Sequence, residues 1–108
     1  MAKGKTLNTA QCAEILKAMG NETRLGILRL LFEQERSVSE ICQALDLEQH
    51  FVSRHLSVLR NAGLVQTRRQ AQNVFYSLHP DMAQPDSDTI HLGFFQLHFP
   101  TQNPTADE

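Results

Sequence analysis

The amino-acid sequence predicts a mainly helical α+β domain of the winged helix-turn-helix class. Three observations support this prediction: four successive segments have helical periodicity, a very short turn separates the third from the fourth, and a β-hairpin follows the fourth. Two helices joined by a turn of three to four residues and followed by a hairpin define this class. We therefore expect four helices, a β-hairpin wing and, near the C-terminus, one further β-strand.

The first two helices are predicted over residues 9–19 and 22–34. Thr9 is a suitable N-cap and Gly20 a suitable stop for the first helix. The second helix begins at an Asn21 cap and is apolar on nearly every side, which places it in the middle of a core. Apolar residues of the first helix recur at helical spacing and form one stripe: Cys12, Ile15, Leu16 and Met19.

A capping box of Ser37 and Glu40 opens a short third helix. A tight turn at residues 46–47 leads into the fourth helix, over residues 48–62, and Gly63 is suited to the left-handed conformation that ends many helices. The third helix has one apolar face: Val38, Ile41, Cys42 and Leu45. The fourth helix has an inner apolar stripe: Val52, Leu56 and Leu59.

Two β-type runs, residues 64–69 and 74–78, surround a polar loop and predict a hairpin. A further β-type run near the C-terminus changes its alternation phase at Gly93, where we expect a bulge in a single strand. The predicted organisation is a disordered arm (1–8), a winged helix-turn-helix domain (9–79), a linker (80–88), a strand packed on the core or at a dimer interface (89–99) and a disordered acidic tail (100–108).

Composition narrows the class of protein. A length of 108 residues fits one domain. No apolar run approaches the roughly 18 residues that a membrane helix needs, and the N-terminus lacks a signal-peptide pattern. Two cysteines without such a signal are typical of the reducing cytoplasm. Because no nucleophile elbow, phosphate-binding glycine loop or paired helical carboxylates occur, we expect no enzyme and no required cofactor.

The distribution of charge is more informative than the net charge of -2. Residues 49–79 contain no Asp or Glu and carry four arginines and three histidines, whereas residues 80–108 contain five acids and no Lys or Arg. A locally basic stretch attracts phosphates even when the total charge is negative. The same pattern is typical of a solvated basic face, so charge alone leaves both interpretations open.

The outward side of the fourth helix and the hairpin tip carry side chains suited to DNA. Arg and Gln bind base edges through paired hydrogen bonds, and Ser and His reach bases or phosphates. A basic, amide-rich hairpin beside such a helix can grip the backbone or minor groove, although polar tips are normal for any hairpin. The predicted DNA contacts are Gln49, His50, Ser53, Arg54, His55, Ser57 and Arg60 on the helix, and Arg68, Arg69 and Gln72 on the hairpin.

Two segments resemble the ArsR family of bacterial repressors: residues 20–28, GNETRLGIL, and residues 52–65, VSRHLSVLRNAGLV. The resemblance implies a homodimer of winged-helix subunits that binds palindromic double-stranded operator DNA and leaves it when an effector binds. It also implies a dimer built from the first helix and a C-terminal helix. We expect the apolar stripe of the first helix to form part of that surface.

The sequence departs from the family pattern at its sensor positions. Arsenic-sensing members carry cysteines where this chain has Ser37, Ser39 and Cys42, and serine is a poor ligand for a thiophilic ion. The C-terminal helix that holds zinc ligands in other members is predicted here as a strand with His91 and His98. The wing also lacks the family's frequent glycine; Ala71 and Asn73 stand there, and Asn tolerates left-handed geometry.

Two sensor hypotheses remain open. Cys12 and Cys42 are buried small hydrophobes or, alternatively, a thiol switch. His91 and His98 are solvated strand residues or weak metal candidates. We therefore predict a homodimeric cytoplasmic repressor released by an effector or by thiol oxidation. The alternatives are a protein-interaction winged helix and a DNA-binding regulator without a small effector.

Overall fold

The computed structural model describes residues 8–80 and the backbone of two further short strands. Four helices lie at Thr9–Met19 (α1), Glu22–Glu33 (α2), Val38–Leu45 (α3) and Gln49–Asn61 (α4). Five strands lie at Arg36–Ser37 (β1), Val65–Gln70 (β2), Asn73–Leu78 (β3), Thr89–His91 (β4) and Gln96–His98 (β5). The four predicted helices and the hairpin wing, β2 and β3, are confirmed. Residues 81–88 of the predicted linker, most of the predicted arm and the acidic tail lie outside the described residues.

Side-chain caps set the beginnings of the first three helices. The α1 cap is Asn8 rather than the predicted Thr9: its Oδ1 accepts from the Gln11 N–H at 2.8 Å, and Gln11 Oε1 accepts from the Asn8 N–H at 2.9 Å. Asn8, which the sequence analysis placed in the N-terminal arm, therefore forms the capping box of α1. The predicted Asn21 cap and the capping box that opens α3 are both present.

The wing is part of a three-stranded antiparallel sheet with strand order β1-β3-β2. The third strand, β1, was not predicted because a two-residue strand has no recognisable alternation. It pairs Arg36 with Tyr76 and Ser37 with Phe75, and so ties the α2–α3 connection to the wing.

The C-terminal region differs from the prediction of one strand over residues 89–99. Its backbone forms two antiparallel strands, with Ile90 opposite Leu97 and His91 opposite Gln96. The predicted bulge falls in residues 92–95, outside the described residues. A change of alternation phase next to a glycine is compatible with a chain reversal as well as with a bulge, and this explains the error.

The core lies around α2, as its all-round apolar sequence predicted. Ile27 and Leu28 are completely buried, and α2 packs on α1, α3, α4 and β3. Three of the four α1 residues expected at a dimer surface, Cys12, Ile15 and Met19, are instead buried within the subunit, while Leu16 is 39% exposed. Within residues 8–80 and the two C-terminal strands, every helix is too short or too polar to cross a membrane.

Candidate nucleic-acid interface

The α3–α4 unit is a helix-turn-helix whose connection is three residues long, 46–48. Asp46 adopts a left-handed conformation with φ of 58°, and the Leu47 N–H donates to the Cys42 carbonyl at 3.1 Å. The predicted tight turn is therefore present. Three side chains of α4 then anchor the helix in the core, each with no exposed area: Val52, Leu56 and Leu59.

The opposite side of α4 is exposed and polar, as predicted. Glu48, at the N-cap, makes no capping hydrogen bond, and its carboxylate lies 3.4 Å from His50 Nδ1. Within residues 8–80, no carboxylate lies within ion-pair distance of Arg54 or Arg60. Ser53 is half-buried, and the other members of this surface are exposed: Gln49, His50, Arg54, Ser57, Arg60 and Asn61.

His55 departs from the exposed set. Its side chain is half-buried, and its Nδ1 lies 3.1 Å from Arg24 Nη1. Arg24 also donates to the Ala18 carbonyl at the end of α1. Since arginine has no acceptor atom, His55 Nδ1 must be the acceptor and must be unprotonated. Burial first, and then the charges of Arg24 and Arg54, lower the pKa of His55 below its ordinary value.

Phe51 is a surface feature of α4 that the sequence analysis missed. Phe51 is 39% exposed, and its ring makes an edge contact with the His55 ring at 4.8 Å between centroids. Val58, two turns along the same side, is 40% exposed. An apolar residue on a polar helix face could have been found by asking which apolar side chains lie off the inner stripe.

The wing has a two-residue turn at Ala71 and Gln72, because Gln70 pairs directly with Asn73. The residue with positive φ is Ala71, at 56°, and not Asn73 as the sequence suggested. Arg69 and Gln72 are exposed. Among the described residues, no ion-pair partner lies near Arg69. These two side chains therefore agree with their predicted placement at an accessible tip.

The side chain of Arg68 is held by contacts with other residues of the same chain. Its Nε and Nη2 donate to the two carboxylate oxygens of Glu35 at 3.0 and 2.7 Å, and its Nη1 donates to Gln70 Oε1 at 2.7 Å. The guanidinium carbon lies 4.9 Å from the centre of the Phe75 ring. The sequence could not indicate this pair because Glu35 lies 33 residues away.

The candidate sensor cysteines lie on different helices. Cys12 is buried on α1 and Cys42 is half-buried on α3, and no disulfide joins them. Ser37, at a position of the arsenic ligands in relatives, uses its Oγ to accept from the Glu40 N–H at 3.2 Å. Within residues 8–80 no three His, Cys, Asp or Glu side chains are grouped to hold a metal. The side chains of His91 and His98 fall outside the described residues.

Comparison with known proteins assigns the chain to a family. Residues 21–67 match the model of the bacterial regulatory proteins of the arsR family. The transcriptional activator HlyU of Vibrio cholerae is 44% identical over 91 residues, which are 84% of this chain and 84% of HlyU. The chain belongs to the arsR family. It is therefore a winged helix-turn-helix transcriptional regulator, as its sequence predicted.

Other arsR-family proteins agree with this assignment. The solved structure of HlyU from Vibrio cholerae superimposes with a TM-score of 0.65 at 50% identity, covering 67% of this chain and 78% of HlyU. The homodimeric winged helix-turn-helix domain Mb0332 of Mycobacterium bovis has a TM-score of 0.63 at 36% identity, covering 65% of each chain. The arsenical resistance operon repressor of Escherichia coli is 46% identical over 68 residues, 62% of this chain and 58% of that repressor.

Proposed function

We propose that this chain is a homodimeric repressor that binds a palindromic operator in double-stranded DNA. The observation that carries the proposal is the exposed side of α4, which is rich in hydrogen-bonding groups and free of carboxylates from Gln49 to Asn61. An α-helix with such a face fits the major groove, and its N-terminal residues, Gln49, His50, Ser53 and Arg54, reach the base edges. Ser57 and Arg60 follow along the same helix.

The wing supplies the second contact. Its exposed tip, with Arg69 and Gln72, can reach the neighbouring backbone or minor groove when α4 lies in the major groove. Two copies related by a twofold axis would place two such units about one helical turn of DNA apart, so the operator is a palindrome. The homodimeric state of Mb0332 supports this assembly.

We favour repression over activation because repression requires only that the protein occupy the operator, which α4 and the wing can do by themselves. The Escherichia coli relative is a repressor, which supports this choice. We place the protein in the cytoplasm, where DNA is accessible and thiols are reduced, and assign it no catalytic step. Release by thiol oxidation would act more readily on Cys42, which is half-buried on α3, than on Cys12, which is buried on α1.

A gel-shift and fluorescence-anisotropy titration against fragments of the host genome tests the proposal. We expect retardation that survives competitor DNA on fragments containing an inverted repeat, with two subunits per site. A protein that shifts no fragment even at low salt would refute DNA binding.

Replacement of Arg54 by Ala tests the reading helix itself. A lost paired hydrogen bond to a base costs about 1–3 kcal/mol of discrimination, so operator affinity should fall by about fivefold to 150-fold, with less effect on random DNA. Arg29→Ala removes an equal charge from an exposed position on α2 and should change operator binding little. Equal losses in the two variants would contradict the assignment of Arg54.

Protein docking is the second candidate function, and the exposed Phe51 and Val58 favour it. Apolar side chains on a helix face are typical of partner surfaces. A chain that remains monomeric in gel filtration and is indifferent to DNA would favour docking over the operator model.

A further inference from the structure

The two faces of the wing carry different side chains. Residues directly opposite each other in an antiparallel pair lie on the same face of the sheet. Val65, Leu78 and Tyr76 contact the core, and this inner face continues outward through Thr67 to Arg69 and Val74. The outer face consists of three cross-strand pairs: Gln66 with Ser77, Arg68 with Phe75, and Gln70 with Asn73. Arg68 and Arg69 are therefore neighbours in sequence but lie on opposite faces.

The side chain of Arg68 is 49% exposed, but more than half of the N–H groups of its guanidinium are already engaged within the protein. Three of the five N–H groups of an arginine are here used by Glu35 and Gln70, and one face of the planar group lies over Phe75. The hydrogen bond from Arg68 lowers the pKa of the Glu35 carboxyl below its ordinary value, so Glu35 is charged at neutral pH. A DNA phosphate that approached Arg68 would meet this carboxylate.

Glu35 is itself held in a fixed part of the chain. It follows α2 and immediately precedes β1, which pairs with β3. Its neighbour Arg36 donates to the Leu30 carbonyl at 3.2 Å and to Glu33 Oε1 at 2.6 Å, and its side chain is only 18% exposed. The Glu35–Arg68 pair thus joins an outer strand of the wing to an ordered connection next to the helix-turn-helix.

We propose that Arg68 is a positioning residue that holds the wing through Glu35, and that the wing's phosphate contact is made by Arg69. This inference rests on the proposed function, because it assigns roles within DNA binding. It replaces the expectation that Arg68 itself grips the backbone. Arg69 is exposed, lies on the inner face close to the tip, and has no ion-pair partner among the described residues.

The salt dependence of DNA binding separates the two roles. Each phosphate that a protein neutralises contributes about 0.9 to the slope of log affinity against log salt concentration. The double variant Glu35→Gln with Arg68→Gln preserves net charge and removes the pair, and its slope should equal that of the wild type. Arg69→Gln, the matched control on the same strand, should reduce the slope by about 0.9 per subunit bound.

Hydrogen exchange measures how well the wing strands are held in place, and the loss of a phosphate contact would leave this property unchanged. In protein without DNA, the double variant should lose protection at the amides of β2 and β3, while Arg69→Gln should keep it. A slope reduced by about 0.9 per subunit bound in the double variant, unchanged protection in its wing, or an unchanged slope in Arg69→Gln would each overturn the inference. Failure of the wild type to bind any DNA would refute the proposed function instead, and the exchange measurement would still test the Glu35–Arg68 link.

Discussion

At the scale of single residues, His55 shows how tertiary contacts change the role of a polar side chain. It is one residue before Leu56 of the inner stripe, at the edge between the buried and exposed sides of α4. Its contact with Arg24 spans 31 positions in sequence. Sequence periodicity predicts which residues are fully inside or fully outside, but a residue at the boundary is assigned by whichever neighbour the fold brings to it.

The lowered pKa of His55 predicts a pH dependence of stability. Because the folded protein binds this proton less readily than the unfolded chain does, acid favours unfolding. Well above pH 6.5, the ordinary pKa of histidine, His55 should not affect the free energy of unfolding. As the pH falls through 6.5 towards the lower folded pKa, His55 should reduce the free energy of unfolding. Urea unfolding between pH 5 and 8 measures it, with His55→Gln as the comparison because Gln can still accept from Arg24. Parallel profiles for the two proteins would contradict the prediction.

At the scale of elements, the features made by neighbouring residues could be predicted from the sequence, and those made by residues far apart in the chain could not. The α3 capping box and the Asp46 turn use neighbouring residues, so both were predictable. Strand β1 and the Glu35–Arg68 pair depend on partners more than thirty residues away, and they were not. Arg68 was correctly placed in the wing, but its partner could be found only in the structure.

The wing turn predicts a stabilising substitution. Ala71 has φ of 56°, a region that costs L residues about 1–2 kcal/mol and costs glycine little. Part of this gain is offset by the greater freedom of glycine in the unfolded chain, so Ala71→Gly should stabilise the protein by about 0.5–1 kcal/mol in urea unfolding. Ala13→Gly, at an exposed interior position of α1, is the control and should destabilise by a similar amount. A loss of stability in Ala71→Gly would show that the turn does not have this strain.

At the scale of the whole molecule, most of the apolar stripe of α1 is buried within its own subunit. Cys12, Ile15 and Met19 were read from the sequence as one apolar side, and they are one buried side. Helical spacing shows that residues share a face, but it does not show whether the covering surface belongs to the same chain or to a second one. The proposed dimer must therefore use what α1 leaves exposed, of which Leu16 is the largest apolar residue.

This reasoning predicts that Leu16→Glu weakens the dimer. A carboxylate placed in an apolar contact without a partner is costly, so sedimentation should show a shift from dimer to monomer, together with weaker operator binding. Leu25→Glu is the matched control because Leu25 is 37% exposed on α2, outside the expected interface. If Leu25→Glu dissociates the dimer and Leu16→Glu does not, the interface does not include this part of α1.

Ser37 connects the wing directly to the helix-turn-helix, and these are the two parts of the proposed DNA surface. The same residue pairs with Phe75 in the sheet and caps α3 with its hydroxyl, so the strand ends where the helix begins. No residue between them is available to act as a hinge. We therefore expect the wing and the helix-turn-helix to move together as one rigid body within a subunit. The freedom that a regulator needs in order to release DNA is then expected between subunits, in the angle and spacing at which two such bodies face the duplex.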